Sequence, residues 1–501
     1  MADINVRFQD YSYAKVEADY GIICELRDYF SFDVEGAQFN PKVKYGIWDG
    51  KIRLMGTDGS LPWGLVNMVK SFASNLDYTV DIEDILTPKP QMSREDFDSW
   101  LAAKDIYAGN AKITPHWYQA DSVFHAINNR RGTLNLPTSA GKSLIQTLIA
   151  RWFLESYQSK VLLIVPTTAL VKQMRDDMVD YRLFPSSAIN LLGGGNKGQN
   201  DDALITVATW QTAVKQKPEW FAQFGLMMCD ECHLATGASI SKIIKQMTHC
   251  EYKFGLSGSL KDGKTNVLQY IGLFGDVFRP VDTAKLMEDG QVADMSIKSV
   301  ILRYKDEECT ACKELNYAEE IKYITAHKKR NAWVCSLARK LAGRNENVLV
   351  LFKNTAHGKA LYEALKATHG DKVHYIAGET KTDQRAELRG VAENETGLII
   401  VASYGVMSTG ISIKQLHHLI FSHPVKSKVI VLQSIGRVLR KHGSKTKALV
   451  WDIVDNLGIK TKSKTAKNPY RHMNYAFKHG VERIQRYNAE KFDYTMVKVD
   501  L

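Results

Sequence analysis

Residues 132–153 read GTLNLPTSAGKSLIQTLIARWF. Residues 133–136 form a short apolar strand. Pro137, Thr138, Ser139, Ala140, Gly141, Lys142 and Ser143 make a loop of small and polar residues, and a helix follows. Its apolar residues Leu144, Ile145, Leu148, Ile149, Trp152 and Phe153 recur at helical spacing, so one face packs back on the strand. Strand, small-residue loop, Gly-Lys-Ser and helix is the arrangement that cradles a polyphosphate, because backbone N–H groups and the helix N-terminus face the anion. Lys142 is then expected on the β- and γ-phosphates of ATP, and the Ser143 hydroxyl on Mg²⁺. The loop departs from the usual pattern at Leu136, where a small residue is common.

A chain of 501 residues predicts about three domains at ~150 residues each. The composition, 45% hydrophobic and 24% charged, is that of a globular protein. A formal net charge of +11 favours a polyanionic partner such as nucleic acid. There is no long apolar run, and the start, MADINVRFQD, lacks an apolar signal core. No membrane partner and an intracellular, cytoplasmic location are therefore expected. Seven cysteines, an odd number, argue against a disulfide framework. Cys229 with Cys232 and Cys309 with Cys312 have metal-ligand spacing, but the pairs lie far apart and the first flanks a carboxylate pair with another use, so zinc is not expected.

Residues 1–90 look like a small separate α/β module. A helix is expected over 17–29, and strands over 43–48 and 51–55, joined by Asp49-Gly50, a hairpin turn signal. A second helix is expected over 63–75 and a strand over 78–82. Lys42, Lys44, Tyr45, Trp48, Lys51, Arg53 and Trp63 lie around the hairpin. Two uses fit this stretch equally: a nucleic-acid surface, or a solvated hairpin whose aromatics enter the core.

After a linker at 87–90, apolar strands alternate with helices to about 280, at 161–165, 203–208, 226–229 and 253–256. A second alternating series follows, at 348–352, 373–377, 398–402, 418–421 and 448–453. Two such runs mean two parallel-sheet domains. Domains are therefore expected at 1–90, 91–285, 286–455 and 456–501. In the last, nine Lys or Arg stand against two Glu between Lys460 and Lys491. A basic, partly helical tail suits nucleic acid, and equally a helix docked on the second domain with a charged outer face.

The strand at 226–229 ends in Asp230-Glu231-Cys232-His233. An acidic pair at the C-terminal end of a parallel strand, beside a phosphate loop, supplies one carboxylate for Mg²⁺ and one to polarise the attacking water. Asp230 is the metal-side candidate and Glu231 the base.

With Asp-Glu-x-His in place, the chain resembles the superfamily 2 helicases, and the rest of that set appears in order across residues 117–440. Tyr118-Gln119 resembles the glutamine that reads adenine. Pro166-Thr167-Thr168-Ala169-Leu170 with Gln173, and Ala208-Thr209-Trp210-Gln211-Thr212, are similar to motifs that hold a strand's backbone, which implies that role for Thr167, Thr209 and Gln211. Ser257-Gly258-Ser259 resembles the motif coupling hydrolysis to movement, with His233 its partner in coupling. In the second domain 352–355 and Gly378 to Thr380 look like motifs IV and IVa. Residues 403–412, with Ser403 on the nucleic acid and Gly410 at the nucleotide, are similar to motif V, although Ser412 stands where many members have an Asp. Gln433-Ser434-Ile435-Gly436-Arg437-Val438-Leu439-Arg440 resembles motif VI. On a helix over 429–441, Gln433, Gly436, Arg437 and Arg440 share one face. Arg437 and Arg440 are thus candidates for the transition-state charge, with Arg440 the finger, and ATP would close the cleft between the domains.

The resemblance implies a fold of two RecA-like domains in tandem, with a small N-terminal α/β domain and a short basic helical C-terminal segment. GRVLR and DECH are similar to the branch of XPB-like and restriction-motor helicases. Taken over the whole chain, the resemblance implies an ATP-driven DNA motor on forks, Holliday junctions and R-loops, with branched DNA and RNA–DNA hybrids as partners, in recombination and repair. The alternatives are an RNA helicase, or a clamp or annealing protein gated by ATP. The intact base and arginines count against a clamp. Trp48, Lys51 and Arg53 complete the candidate nucleic-acid contacts.

Overall fold

A computed structural model describes the chain except at residues 1, 35, 198–199, 201, 235–237, 259, 261–263, 381, 409–412, 414, 428–430, 432–433, 437–446 and 462–469. It divides into two compact units, residues 1–136 with 140–280, and 281–501, with which Pro137–Ser139 group.

The first unit opens on a four-stranded sheet in the order Ser60–Pro62, Tyr13–Ala18, Ile4–Phe8, Val80–Ile82. Period-two alternation sends Ile4, Val6, Ala14 and Val16 inward, onto Leu26 and Phe30 of the helix Tyr20–Tyr29 and Val69 and Phe72 of Val66–Asn75. Glu17 is paired in the sheet opposite Asn5, which is why the helix starts three residues later than its periodicity suggests. The expected hairpin does not form. Asn40 caps a helical turn, Pro41–Lys44, by accepting from the Lys42 N–H at 3.0 Å, and Pro41 fits its first position. Lys51–Arg53 pairs instead with Ser31–Asp33.

The main sheet of this unit has the order Asn196–Lys197, Ile189–Gly193, Ile205–Thr209, Lys160–Val165, Phe224–Cys229, Tyr252–Ser257, Arg131–Asn135, Val277–Phe278. All pairs are parallel except the first. In register, Val165 lies opposite Thr209, Cys229 opposite Ile164 and Gly255, and Ser257 opposite Asn135, so the strand ends that carry the motifs line one edge.

The N-terminal module is locked onto this sheet. Lys253, fully buried on the strand between the acidic pair and the phosphate loop, donates through Nζ to Tyr11 O and Ser12 Oγ, both at 2.8 Å. The Arg131 guanidinium also bonds Tyr11 O and lies 4.2 Å from the Trp63 ring centroid. Ser12 Oγ donates to Ile244 O at 2.8 Å. At Gly64 any Cβ would sit 1.7 Å from Ile271 O, so the two backbones touch there. Trp63 is buried and stacks on Tyr11, and so leaves the aromatic surface expected around the hairpin.

The second unit has a seven-stranded parallel sheet, Val373–Ile376, Ile399–Ser403, Val348–Phe352, His418–Phe421, Lys447–Asn456, Asp294–Arg303, Tyr494–Asp500. The tail provides the expected helix, Tyr475–Ala489, and a final strand not foreseen from its basic composition. The helix docks through buried Arg483, whose Nε donates to Asp452 Oδ1 at 2.9 Å. Cys229 and Cys232 lie in the core of the first unit, Cys309 and Cys312 in that of the second.

Candidate active site

The phosphate loop leaves the strand Arg131–Asn135 through Leu136. Its N–H bonds Ser257 O at 2.9 Å and its side chain is fully buried, so the apolar departure from the loop pattern is core packing. Ser139 and Gly141 take positive φ, +72° and +74°, and Gly141 caps the helix Lys142–Ser156. A Cβ at Gly141 would lie 2.3 Å from Gln119 Nε2, so only glycine fits. Gln119 is buried behind the loop. Its Nε2 donates to Ala140 O at 2.9 Å and its Oε1 accepts from the His116 N–H at 2.9 Å. One amide hydrogen and one lone pair are left for a base edge. Ser143 Oγ meets the Tyr181 hydroxyl at 2.8 Å, a neighbour at a helix end that no sequence signal marks.

Across the sheet edge, the Asp230 N–H bonds Ile164 O at 2.8 Å. Burial raises its carboxyl to about 7, the Glu231 charge adds to this, and Lys142 pulls the other way. Asp230 Oδ1 is buried with no hydrogen-bond partner. An orphaned carboxylate oxygen beside the phosphate-loop lysine fits a divalent cation. Mg²⁺ needs no all-protein cage, since one carboxylate, a hydroxyl and nucleotide phosphates suffice. Glu231 has φ +49°, an uncommon left-handed backbone that turns it away from the strand line. Its Oε2 lies 3.2 Å from His233 Nδ1, which is 3.0 Å from Ser257 Oγ.

Thr167 and Thr209 end neighbouring strands, Thr167 capping the Leu170 N–H at 3.4 Å and Thr209 Oγ1 meeting Thr212 Oγ1 at 2.9 Å. Gln211 Nε2 donates to Pro166 O at 3.4 Å, so these three residues form one cluster on the same edge. In the second unit Gly378 follows the strand Val373–Ile376, and Ser403 ends Ile399–Ser403 opposite Phe352. Ser259, Gly410, Gln433, Arg437 and Arg440, with most of the expected helix over 429–441, lie outside the described residues.

In the N-terminal module Trp48 Nε1 donates to Lys51 O at 2.7 Å, and Arg53 is ion-paired to Asp49 at 2.7 Å and Asp28 at 3.1 Å. The exposed side chains are instead Phe39, Tyr45 and Ile47, at 74–80% exposure. Their sequence did not separate them from core residues, because exposure follows from the Asn40-capped turn.

Comparison with known proteins agrees with this layout. Residues 3–83 match the N-terminal family of the DNA helicase UvsW, 109–262 the res subunit of type III restriction enzymes, and 328–442 the helicase conserved C-terminal domain. The chain is 55% identical over 502 residues to the ATP-dependent DNA helicase uvsW of Enterobacteria phage T4, covering 100% of both. It belongs to the UvsW helicases. Like them it is an ATP-dependent DNA helicase of two RecA-like domains. The crystal structure of T4 UvsW aligns with a TM-score of 0.55 at 53% identity, over 99% of each chain. A DNA 3'-5' translocase, XPB2 of Sulfurisphaera tokodaii, is 26% identical over 57% of this chain and 59% of its own. A fragment of a type I restriction HsdR subunit from Vibrio vulnificus shares the fold, with a TM-score of 0.57 at 16% identity, over 82% and 72% of the two chains. Among the described residues, no helix is long and apolar enough to cross a membrane.

Proposed function

We propose that this UvsW-type helicase unwinds and branch-migrates branched DNA, forks, Holliday junctions and R-loops among them, in recombination and repair. The supporting observation is the lock between the N-terminal module and the motor sheet. Lys253 and Arg131, which hold the Tyr11 carbonyl, lie on the two strands next to the acidic pair and the phosphate loop. A module so held keeps a fixed distance from the ATPase residues, so structure recognition and stepping act as one body. Its exposed Phe39, Tyr45 and Ile47, beside Lys42, Lys44 and Lys51, suit unpaired bases and flanking phosphates at a branch.

At the nucleotide, Lys142 binds the β- and γ-phosphates, and Ser143 with Asp230 holds Mg²⁺. The bound cation neutralises charge between the phosphates. Glu231 accepts a proton from the attacking water, Gln119 reads the adenine edge, and Arg440 with Arg437 stabilises the transferred phosphoryl charge, with Gln433 beside them. Thr167, Thr209, Gln211, Gly378 and Ser403 hold the strand's backbone, which keeps stepping tolerant of sequence. The protein works inside the host cell. Strand separation on a four-way junction, a fork, an RNA–DNA hybrid and a linear partial duplex tests this. The junction and fork should be resolved faster than the linear duplex, and equal rates on all four would refute a branch preference.

A further inference from the structure

The short connection after the strand His418–Phe421 is held by its carbonyls. Arg330 Nη2 donates to Ser422 O at 2.8 Å, the Tyr404 hydroxyl to His423 O at 3.1 Å, and Arg483 Nη1 to Val425 O at 2.7 Å. Arg486 Nη1 bonds Lys426 O. Two of these donors are buried guanidiniums, each fixed by a carboxylate of the strand Lys447–Asn456: Arg330 Nε by Asp455 at 2.6 Å and Arg483 Nε by Asp452 at 2.9 Å. The Tyr304 and Tyr487 hydroxyls donate to the same carboxylates at 2.8 and 3.0 Å.

A loop needs only solvent or one partner for its carbonyls, and a buried ion pair adds little stability over apolar packing. Two buried pairs aimed at one five-residue stretch therefore point to placement, and the residues just beyond it are the ones placed. The Val431 N–H bonds Ser427 O at 3.1 Å, opening a helical turn, and Val431 and Ile435 are buried. Residues 422–426 thus fix where the segment bearing Arg437 and Arg440 departs.

We propose that Arg483 and Arg486, three residues apart on the tail helix Tyr475–Ala489, are positioning residues for the motif VI arginines. The inference rests on the finger role of Arg440. It assigns the tail's most conspicuous cations to ATP turnover, because their donors point at protein carbonyls and carboxylates. A guanidinium that must meet developing phosphoryl charge loses much of its effect when shifted by about 1 Å. The tail helix clamps the departure point of that segment from the side opposite Arg330.

The test compares Arg486→Ala, Arg486→Lys, Arg483→Lys and Arg440→Ala in the full chain. Arg486 is partly exposed, so its truncation leaves the core in place. Arg486→Ala should lower kcat for DNA-stimulated ATP hydrolysis about tenfold, with affinities for a fluorescent ADP and for single-stranded DNA within about twofold of wild type. Arg486→Lys should recover most of kcat, since an ammonium still reaches the carbonyl. Amide exchange over residues 427–436 should quicken in Arg486→Ala and Arg483→Lys. Loss of single-stranded DNA affinity with kcat intact at saturating DNA would overturn the proposal and make the tail a strand contact. Faster exchange with wild-type kcat would overturn it as well. Wild-type kcat in Arg440→Ala would instead defeat the finger role itself, a distinct outcome.

Discussion

His233 Nδ1 lies 3.0 Å from Ser257 Oγ, joining the end of the acidic-pair strand to the end of its neighbour. Because the same nitrogen is 3.2 Å from Glu231 Oε2, the base and the motif after the next strand share one imidazole. Movement of Glu231 on hydrolysis is thus passed to Ser257. Ser257→Ala removes one hydrogen bond worth about 1 kcal/mol. Base pairs opened per ATP should fall, while hydrolysis stays within about fivefold of wild type. Proportional loss of both would mean that the contact serves the chemistry and not its coupling.

Asp230 provides a proton-linked signature. Its folded value of about 7 lies above the ordinary 3.8, so between those values the folded protein holds more protons than the unfolded chain, and stability falls as pH rises through that window. A cation at the orphaned oxygen favours the carboxylate. Binding of Mg²⁺-ADP near pH 6.5 should therefore release protons, detectable by calorimetry in buffers of different ionisation enthalpy. Asp230→Asn should abolish the release, and an unchanged release in that variant would place the metal elsewhere.

The exposed ring surface separates recognition from hydrolysis. Phe39→Ala with Tyr45→Ala should weaken junction binding by about 1–3 kcal/mol per ring lost, and leave hydrolysis on single strands unchanged. Replacing Lys42 or Lys44 should instead lower the salt dependence of binding by about one charge each. Equal loss on single strands and junctions in the ring variant would deny the module a recognition role.

Lys253 predicts a pH effect of opposite sign. Burial, with Arg131 adding to it, drives its ammonium well below 10.5, so the unfolded chain binds the extra proton, and stability rises with pH from that lowered value up to 10.5. Lys253→Met should flatten this rise in denaturant titrations across alkaline pH. A slope equal to wild type would show that the proton resides elsewhere. Deleting the module would strip Arg131 and Lys253 of the Tyr11 carbonyl, so surface variants are the cleaner probe of its function.

Much of the fold was legible because its signals are local. The apolar strands before Asp230 and Pro137 are buried on both faces, and such runs stand out from any flanking sequence. Asp49-Gly50 misled for a local reason too: the turn exists, with Gly50 at φ +80°, but the Asn40-Pro41 helix start claimed the residues of its first strand. Long-range relationships left no trace. Lys253 looks like any strand lysine, and its acceptor is 242 residues away. The final strand Tyr494–Asp500 is exposed at most positions, so its polar residues do not announce a sheet. Tyr181 and Arg483 carry no motif, because their partners, a hydroxyl and a carbonyl, occur everywhere.

The central claim, an ATPase driven by DNA structure through Glu231, is tested most directly by hydrolysis assays on wild type and Glu231→Gln. Each is measured alone, with single-stranded DNA, a four-way DNA junction, an RNA–DNA hybrid and single-stranded RNA. The wild type should be stimulated by DNA, most by the junction, and the variant should fall by about 10²–10⁴-fold, the usual contribution of a general base. Stimulation by RNA alone, or wild-type turnover in Glu231→Gln, would contradict the account.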